Sequence, residues 1–360
     1  MSKRNEQSQA INLHSLLTGV LATVITLWGL TGIYRTLAMQ NNWSYFLLRQ
    51  SLWAAAAWLI FAVTVRIKFS TLMRWSPAVA VLGALSLLLL PFCGTQVNGM
   101  YGWYTIGLFT IQPSEIFKIF YILAIARVFY TPDIPEKMRF PAALAIILCA
   151  AMLLLIQPDL GTMSVYIAGG LGALYFCNAK LKHLLLSIGV GIFAAAAAIL
   201  LHSYMRARLF NFFNPDFDPT GGSWHLHQFA IAVSRGEWFG VKGDMAVWSN
   251  SFLPLAHNDS IFAAMCEILG FCGGMVLLGL YACLFYQLFA ISSWRRDKLR
   301  RSVIDSAACL LLCQCIIHIA VNLNLLPPTG ITLPLISYGG SSLVGTMLTL
   351  AVIISAGKPE

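Results

Sequence analysis

Charged residues are scarce in this chain of 360 residues. Asp, Glu, Lys and Arg make up 10% of the sequence, and hydrophobic residues make up 58%. In soluble domains about a quarter of the residues are charged, so this composition excludes a soluble globular protein. The short alternating apolar segments of about ten residues that form outer-membrane barrels are also lacking. The composition therefore predicts an all-α integral membrane protein.

Apolar residues are gathered in runs of roughly 17 to 25 residues, each long enough to cross the hydrocarbon core of a bilayer as a helix. Ten such runs predict transmembrane helices near residues 12–34, 43–65, 75–93, 114–130, 140–156, 160–177, 182–202, 259–290, 303–325 and 334–356. The first run follows Lys3 and Arg4, as in a signal peptide, but it lacks a clean cleavage site and is too long for the apolar core of one. We expect it to be retained, so that residues 1–360 form a single membrane domain.

Basic residues fall almost entirely in alternate short loops. The net charge of +9 would suit a nucleic-acid partner, but Lys and Arg distributed in this way mark the cytoplasmic side of a membrane protein. The basic residues on that side are Lys3, Arg4, Arg66, Lys68, Arg74, Lys137, Arg139, Lys180, Lys182, Arg295, Arg296, Lys298, Arg300, Arg301 and Lys358. The pattern predicts cytoplasmic termini, one long external loop at 203–258 and no nucleic-acid partner.

The external loop 203–258 contains no cysteine, so no disulfide framework is implied. Cys313 and Cys315 lie two apart in a predicted helix, point to different faces and are expected to be small apolar fillers. His225 and His227 have no third ligand in view, so solvated loop histidines fit them better than a metal site. A loop of this length usually has a function, and residues 224–234 predict a short interfacial helix within it.

Ionisable residues inside predicted spans are costly and are functional candidates by default. Glu115 and Lys118 are three apart on one helix face, where they can neutralise each other, and a functional pair or a purely structural one fits equally. Asp159 follows Gln157 and Pro158 at an external turn, where a helix cap would explain it as well as a functional role.

Asp259 lies where the external loop enters the eighth predicted span, and a helix N-terminus favours a carboxylate there. Both a simple helix cap and a catalytic carboxylate fit this position. Glu267 lies eight residues further, deeper in the span and on nearly the same face, so we expect it to be paired or protonated.

Several short motifs follow one another along nearly the whole chain. They are Val97-Asn98-Gly99 with Trp103, Gln112-Pro113-Ser114-Glu115 with Lys118, Gln157-Pro158-Asp159-Leu160-Gly161-Thr162, Arg208 with Asn214-Pro215 and Asp218-Pro219, Gln228, the stretch 253–262, Glu267-Ile268-Leu269-Gly270-Phe271, and a long ungapped block from Gly330 to Ser342. In order and spacing these motifs resemble the SEDS family, the shape, elongation, division and sporulation proteins of the FtsW, RodA and SpoVE type. Residues 235–240 and 332–337 are more similar to the division-type branch, FtsW, than to the elongation-type branch.

The resemblance implies a peptidoglycan glycosyltransferase. Such an enzyme joins lipid-linked disaccharide-pentapeptide units, lipid II, on the outer face of the bacterial cytoplasmic membrane, with inversion at the sugar carbon and an undecaprenyl-diphosphate donor. The division-type similarity implies septal wall synthesis during cell division. The implied partners are a class B penicillin-binding transpeptidase and other membrane proteins of the divisome or elongasome. Mg²⁺ or Mn²⁺ would suit the reaction, because carboxylates and a diphosphate can share a divalent ion.

A sugar hydroxyl that attacks an anomeric carbon needs a carboxylate to accept its proton, and Asp259 is the catalytic candidate. The leaving diphosphate needs a cation. The basic residues predicted on the outer side are Arg206, Arg208, Lys242 and Lys118, of which we favour Arg208. The other predicted substrate-binding residues are Lys118, Glu115, Trp103, Gln157, Asp159, Gln228, His257, Ser337, Tyr338, Ser341 and Ser342. The turn at 337–342 fits close helix packing equally well.

Three positions depart from the pattern of the family that the chain resembles. Leu255 and Cys266 stand where family members carry glutamate, and Gly102 stands where they carry arginine. Two other functions are therefore open. One is a lipid II flippase or transporter, because buried ionisable residues also mark transport pathways, although no internal repeat of the transporter type is visible. The other is a catalytically silent scaffold for the transpeptidase.

Overall fold

The computed structural model describes residues 3–40, 43–97, 100–107, 109–201, 203–241 and 246–358. Its α-helices are α1 (Lys3–Leu37), α2 (Trp43–Thr64), α3 (Phe69–Cys93), α4 (Pro113–Tyr130), α5 (Glu136–Ile156), α6 (Leu160–Phe176), α7 (Leu181–Leu201), α8 (Ser203–Phe213), α9 (Trp224–Arg235), α10 (Ile261–Ser293), α11 (Lys298–Asn322) and α12 (Gly340–Gly357). Ten of them coincide with the predicted spans, and α8 and α9 lie within residues 203–258. The predicted all-α membrane fold class is confirmed.

Seven of the described helices are long and apolar enough to cross a membrane, namely α1, α2, α3, α5, α10, α11 and α12. The described apolar parts of α6 and α7 are shorter, and α4 carries Glu115, Lys118 and Arg127. Charged groups are tolerated within a span when they pair inside the protein, and both Glu115 and Lys118 are buried. The chain is therefore a multi-pass membrane protein.

The last span begins later than predicted. We expected it from residue 334, but α12 starts at Gly340 and residues 334–339 form a turn. Leu335 adopts a left-handed backbone with φ of 70°, and the Ser337 hydroxyl oxygen accepts the Leu333 amide hydrogen at 2.7 Å. These features keep the helix from starting earlier.

A small antiparallel sheet precedes α4 and was not predicted. Its strands β1 (Thr95–Val97), β2 (Met100–Ile106) and β3 (Phe109–Ile111) pair in the order β1-β2-β3. β2 is rich in aromatic and β-branched residues, which favour strands, but β1 and β3 have only three residues each, too few to show an alternating pattern. Asn98 and Gly99 of the first motif lie outside the described residues.

The described residues of the segment 203–258, which are 203–241 and 246–258, form a folded cap rather than an irregular loop. Besides α8 and α9 they contain a short 3-10 helix, Pro215–Phe217, and a π-helical turn, Trp248–Phe252. The helix predicted at 224–234 is confirmed by α9, and its position at the membrane interface stays a prediction. Asp218 closes the turn before α9, because its carboxylate accepts the Gly221 and Gly222 amides at 3.0 and 2.7 Å. The extracytoplasmic position of this cap stays a prediction.

Of the long apolar helices, α11 and α12 are the most deeply buried in the bundle. α11 packs against α6, α10 and α12, and α12 packs against α2 and α4. Glycine permits two close approaches, because a Cβ at Gly345 would lie 2.0 Å from the Glu115 carbonyl oxygen and one at Gly161 would lie 2.4 Å from that of Thr329. Small residues bring backbones together in the same way at other membrane helix interfaces.

The helix α10 is broken at Gly270, where φ is 72° and ψ is −173°. The segment after α9 packs into this break. The Phe271 amide donates to the Glu237 carbonyl oxygen at 2.8 Å, and the Val241 amide donates to the Glu267 carbonyl oxygen at 3.0 Å. Backbone groups at membrane depth need partners within the protein, so the two segments satisfy and position each other.

Candidate active site

A cavity of about 790 Å³ lies between the cap and the helix bundle. Its walls come from α8, α9, the turn before α10, the end of α11 and residues 328–331. The polar residues that line it are Arg208, Asn211, His225, Asp259, Ser260, His318, Asn322 and Thr329. Leucine, proline and phenylalanine side chains complete the walls. A few polar groups in an apolar enclosure are typical of a ligand site.

The turn that carries Asp259 is fixed from two directions. Leu255 has a positive φ of 46°, and its carbonyl oxygen accepts the Asn258 amide at 2.8 Å. From α11, the Asn322 side chain donates to the Asp259 carbonyl oxygen at 2.9 Å and accepts the Ala263 amide at 3.0 Å. These bonds hold the Asp259 backbone and leave the carboxylate at the cavity.

The Asp259 carboxylate does not cap α10. The residue before the helix is Ser260, whose side chain makes no capping bond, and the Asp259 carboxylate forms no hydrogen bond or ion pair with any described residue. Burial, reinforced by the negative charge of Asp159, raises the pKa of this carboxyl to about 6. Such a group is mostly ionised at neutral pH and takes up a proton more readily than an ordinary carboxylate.

His257, Ser337 and Tyr338 hold the turn before Asp259 and do not line the cavity as the structure describes it. The Tyr338 amide donates to the His257 carbonyl oxygen at 2.8 Å, and the Ser337 hydroxyl donates to the Asn258 carbonyl oxygen at 2.8 Å. The His257 ring packs 5.1 Å from that of Phe46 and 5.4 Å from that of Tyr338. Burial lowers the pKa of His257 to about 4, so the ring is neutral at pH 7.

Arg208 lies on α8 and lines the same cavity as Asp259. His225 lines it from α9, and both burial and the positive charge of Arg208 lower the pKa of His225. Arg206 is exposed and donates to the Leu200 carbonyl oxygen. Lys242 lies outside the described residues. Among the described basic candidates, the fold therefore brings Arg208 to the cavity of Asp259.

Glu115 and Lys118 form the predicted pair, with 2.8 Å between Oε2 and Nζ, and both side chains are buried. Lys118 also donates to the side-chain oxygen of Gln314 at 2.9 Å. Gln314 in turn donates to the Thr332 carbonyl oxygen at 3.2 Å, and the Thr332 and Ser342 hydroxyl oxygens are 2.7 Å apart. None of these five residues is among those described as lining the cavity. Their network joins α4, α11, the segment at Thr332 and the first turn of α12.

Asp159 caps α6, as one of its two interpretations predicts, because its carboxylate accepts the Thr162 amide at 3.0 Å. It also accepts the side-chain amide of Gln112 at 3.3 Å. The Gln112 backbone amide donates to the Ser341 hydroxyl at 2.9 Å, and the Gln157 side chain donates to a carbonyl oxygen of α3 at 2.8 Å. These residues tie helix ends together beside the cavity.

The remaining predicted residues lie elsewhere. Trp103 is in β2, where it pairs with Thr95 of β1, and Gln228 accepts the indole N–H of Trp248 at 2.8 Å. Glu267 is paired, as expected, because its carboxylate lies 3.0 Å from Nε of Arg235 and accepts an amide of the π-helical turn at 2.6 Å. The structure does not bring these three residues to the cavity lining.

The described residues contain no group of three or more His, Cys, Asp or Glu side chains that could hold a metal ion. Beside Asp259, the exposed Leu255 occupies the position where the family pattern has glutamate. Mg²⁺ and similar ions need several oxygen ligands. The described side chains therefore do not form a metal site by themselves.

His318, Asn322 and Asn211 line the cavity but were not predicted from the sequence. A usable signal was present in α11, where Gln314, His318 and Asn322 recur every four residues inside an apolar run. That spacing places the three side chains on one helix face, and polar residues within a span are functional candidates.

The FTSW_RODA_SPOVE family model, described as a cell cycle protein, matches residues 10–359. A relative from Alkalilimnicola ehrlichii, named probable peptidoglycan glycosyltransferase FtsW, is 35% identical over 322 residues, which cover 86% of this chain and 79% of the relative. A relative of the same name from Marinomonas mediterranea is 32% identical over 349 residues, which cover 94% of this chain and 85% of the relative.

Solved structures share the fold. A chain described under "Structural coordination of polymerization and crosslinking by a peptidoglycan synthase complex" superposes with a TM-score of 0.80 at 27% identity, over 94% of this chain and 96% of that one. The rod shape determining protein RodA of Thermus thermophilus superposes with a TM-score of 0.70 at 25% identity, over 94% of this chain and 95% of RodA.

Proposed function

The chain belongs to the FTSW_RODA_SPOVE family of cell cycle proteins, and we propose that it is a peptidoglycan glycosyltransferase. It polymerises lipid II into glycan strands at the outer face of the bacterial cytoplasmic membrane. The relatives named probable peptidoglycan glycosyltransferase FtsW support both this activity and a role in septal wall synthesis during cell division.

One observation carries the proposal: the Asp259 carboxylate, which has no hydrogen bond or ion pair among the described residues, shares a cavity with Arg208. Glycosyl transfer with inversion needs a carboxylate that takes a proton from the attacking hydroxyl. The raised pKa of Asp259 suits a proton acceptor that works near neutral pH.

In the proposed reaction, a hydroxyl of the acceptor sugar attacks the anomeric carbon of the donor while Asp259 takes the hydroxyl proton. The new carbon–oxygen bond forms as the bond from that carbon to the diphosphate oxygen breaks. The lipid diphosphate leaves with the electron pair, and the Arg208 guanidinium stabilises the charge that develops on it.

We propose a class B penicillin-binding transpeptidase as the principal partner, within the divisome or elongasome. The similarity to a chain of a peptidoglycan synthase complex supports a partner that crosslinks the glycan. The basic loops support an orientation with both termini in the cytoplasm and the cavity of Asp259 on the outer side.

Polymerisation of labelled lipid II by the full chain with its transpeptidase tests the proposal, with glycan length read on a gel. Asp259→Asn removes the proton acceptor with almost no change in size, so we expect synthesis to fall at least about 100-fold while partner binding is retained. Asp133→Asn makes the same chemical change at an exposed loop position and is expected to retain full activity.

Glycan ladders of undiminished strength from Asp259→Asn would rule out Asp259 as the base. If the unchanged chain makes no ladder although the partner is bound, a silent scaffold explains the protein better, in keeping with Leu255. Movement of lipid II across vesicle membranes without polymerisation would instead identify a flippase.

A further inference from the structure

The cavity-facing end of α11 carries a histidine whose two ring nitrogens have different environments. His318 is 1% exposed. Its Nδ1 lies 2.7 Å from the Ile331 carbonyl oxygen, whereas its Nε2 is buried and has no hydrogen-bond partner among the described residues. A buried polar nitrogen without a partner is unfavourable in the free protein, and a bound ligand can supply that partner.

The Nδ1 contact determines what kind of ligand group Nε2 can bind. A carbonyl oxygen only accepts hydrogen bonds, so Nδ1 must carry the hydrogen. In the neutral ring Nε2 then presents a lone pair and accepts a hydrogen bond. The ligand group that matches it is a hydroxyl or an amide N–H, and an unprotonated phosphate oxygen does not match.

His318 is built into the wall that carries Asp259. It lines the cavity, and its carbonyl oxygen accepts a bond at 3.0 Å from Asn322, the residue that also holds the Asp259 backbone. On the other side, Ile331 follows Gly330, where a Cβ would lie 3.5 Å from Oδ2 of Asp259. His318 and the Asp259 carboxylate therefore lie beside the same two backbone segments, the end of α11 and residues 330–331.

We propose that His318 is a substrate-binding residue whose Nε2 accepts a hydrogen bond from a hydroxyl or amide N–H of the carbohydrate in this cavity. The inference rests on the proposed glycosyltransferase function. Sugars with acetamido groups are rich in such donors, whereas a diphosphate offers acceptors. His318 and Arg208 therefore recognise opposite ends of the substrate, the sugar and the leaving group.

Two substitutions separate the roles of the two nitrogens. His318→Asn retains an amide N–H near the Nδ1 position, so it preserves the bond to Ile331 but has no atom at the Nε2 position. His318→Gln reaches the Nε2 position with its amide oxygen but loses the Ile331 bond. If His318 is purely structural, asparagine preserves its role better than glutamine does. If His318 binds substrate, glutamine preserves its role better.

We expect His318→Asn to raise KM for lipid II about tenfold, the usual effect of one lost hydrogen bond, with kcat within about twofold and Tm unchanged. His318→Gln is expected to recover most of the KM effect while lowering Tm. An unchanged KM in His318→Asn would overturn the proposal. A loss of activity that tracks the loss of Tm in both variants would also overturn it.

Binding of labelled lipid II to the full-length Asp259→Asn protein, with and without His318→Asn, keeps this test independent of turnover. Tenfold weaker binding in the double variant supports the role of Nε2. If Asp259→Asn is inactive but binds lipid II equally well with either residue at 318, only the His318 inference fails. If Asp259→Asn remains active, the proposed chemistry itself fails.

Discussion

At the residue scale, the partly buried Asp259 differs from the buried carboxylates that the structure describes. Glu115 is paired with Lys118, Glu267 with Arg235 and Asp305 with Arg301, and Asp159 is bonded to an amide of α6. The Asp259 carboxylate has no such partner among the described residues. Buried charge without compensation is unfavourable, and groups with perturbed pKa values in clefts are concentrated at functional sites. Asp259 is therefore the carboxylate that the fold leaves available for chemistry.

The raised pKa of Asp259 predicts how activity depends on pH. The base acts in its ionised form, which is lost as the pH falls through the folded-state pKa of about 6. We expect the rate of glycan synthesis to decline about tenfold per pH unit below that value. Initial rates between pH 5 and 8 provide the measurement. An ordinary carboxylate would keep full activity down to about pH 5.

Asp159→Asn is the matched variant for this pH profile, because the Asp159 charge contributes to the raised pKa of Asp259. The asparagine side chain still accepts the Thr162 amide bond, so α6 keeps its cap. In Asp159→Asn, the fall in the rate of glycan synthesis on the acid side of the pH profile is expected to move to lower pH. A profile that does not move would contradict the assignment of that fall to Asp259.

At the scale of elements, the break in α10 and the segment after α9 depend on each other. Gly236, Gly240 and Gly270 let the two backbones approach so closely that a Cβ at Gly240 would lie 2.2 Å from the Ile268 carbonyl oxygen. The contact anchors the C-terminal side of α9, and α9 supplies Phe229 and Leu226 to the cavity wall. Backbone contacts outside the cavity thus define one of its sides.

Gly270→Ala is expected to destabilise the protein by about 2 to 3 kcal/mol, because its backbone angles are accessible essentially only to glycine. An added Cβ would also lie 2.3 Å from the Gly240 nitrogen. Thermal unfolding in detergent measures the change. Gly189→Ala in α7, with nothing within 4 Å of the added atom, is the control and should lose no stability. Equal Tm values for the two variants would contradict the role of the break.

At the scale of the whole molecule, the cavity exists only because the cap folds back on the bundle. Arg208 comes from α8, Asp259 from the turn before α10 and His318 from α11, and the wall between them includes residues 328–331. Within the bundle, α11 and α12 form a deeply buried centre. The polar network of Glu115 and Lys118 joins this centre to α4. The cavity of Asp259 lies at one face of this centre, where the end of α11 lines it.

The distribution of basic loops predicts that this face is external. A fluorescent protein that folds only in the cytoplasm, fused after residue 358, is expected to be fluorescent, and a phosphatase active only outside the cytoplasm is expected to be inactive there. The same phosphatase inserted at the exposed turn near Asp218 is expected to be active. The reverse pattern would place Asp259 in the cytoplasm and exclude lipid II polymerisation on the outer face.

The sequence alone determined the features that depend on local spacing and composition. Runs of apolar residues located ten helices, alternate basic loops predicted their orientation, and the three-residue spacing of Glu115 and Lys118 predicted their ion pair. The position of Asp259 at a helix entrance made it a candidate, but capping and catalysis predict the same residue type there, so the sequence could not choose between them.

Only the tertiary structure decided which candidates share a site, because that depends on contacts between residues far apart in the chain. Packing brings Arg208 and Asp259 to one cavity, assigns Lys118 to a buried network and leaves the Asp259 carboxylate without a partner among the described residues. It also adds His318, whose bond to Ile331 leaves Nε2 without a described partner. Composition and spacing do not encode these distances, because the surrounding helices and turns set them together.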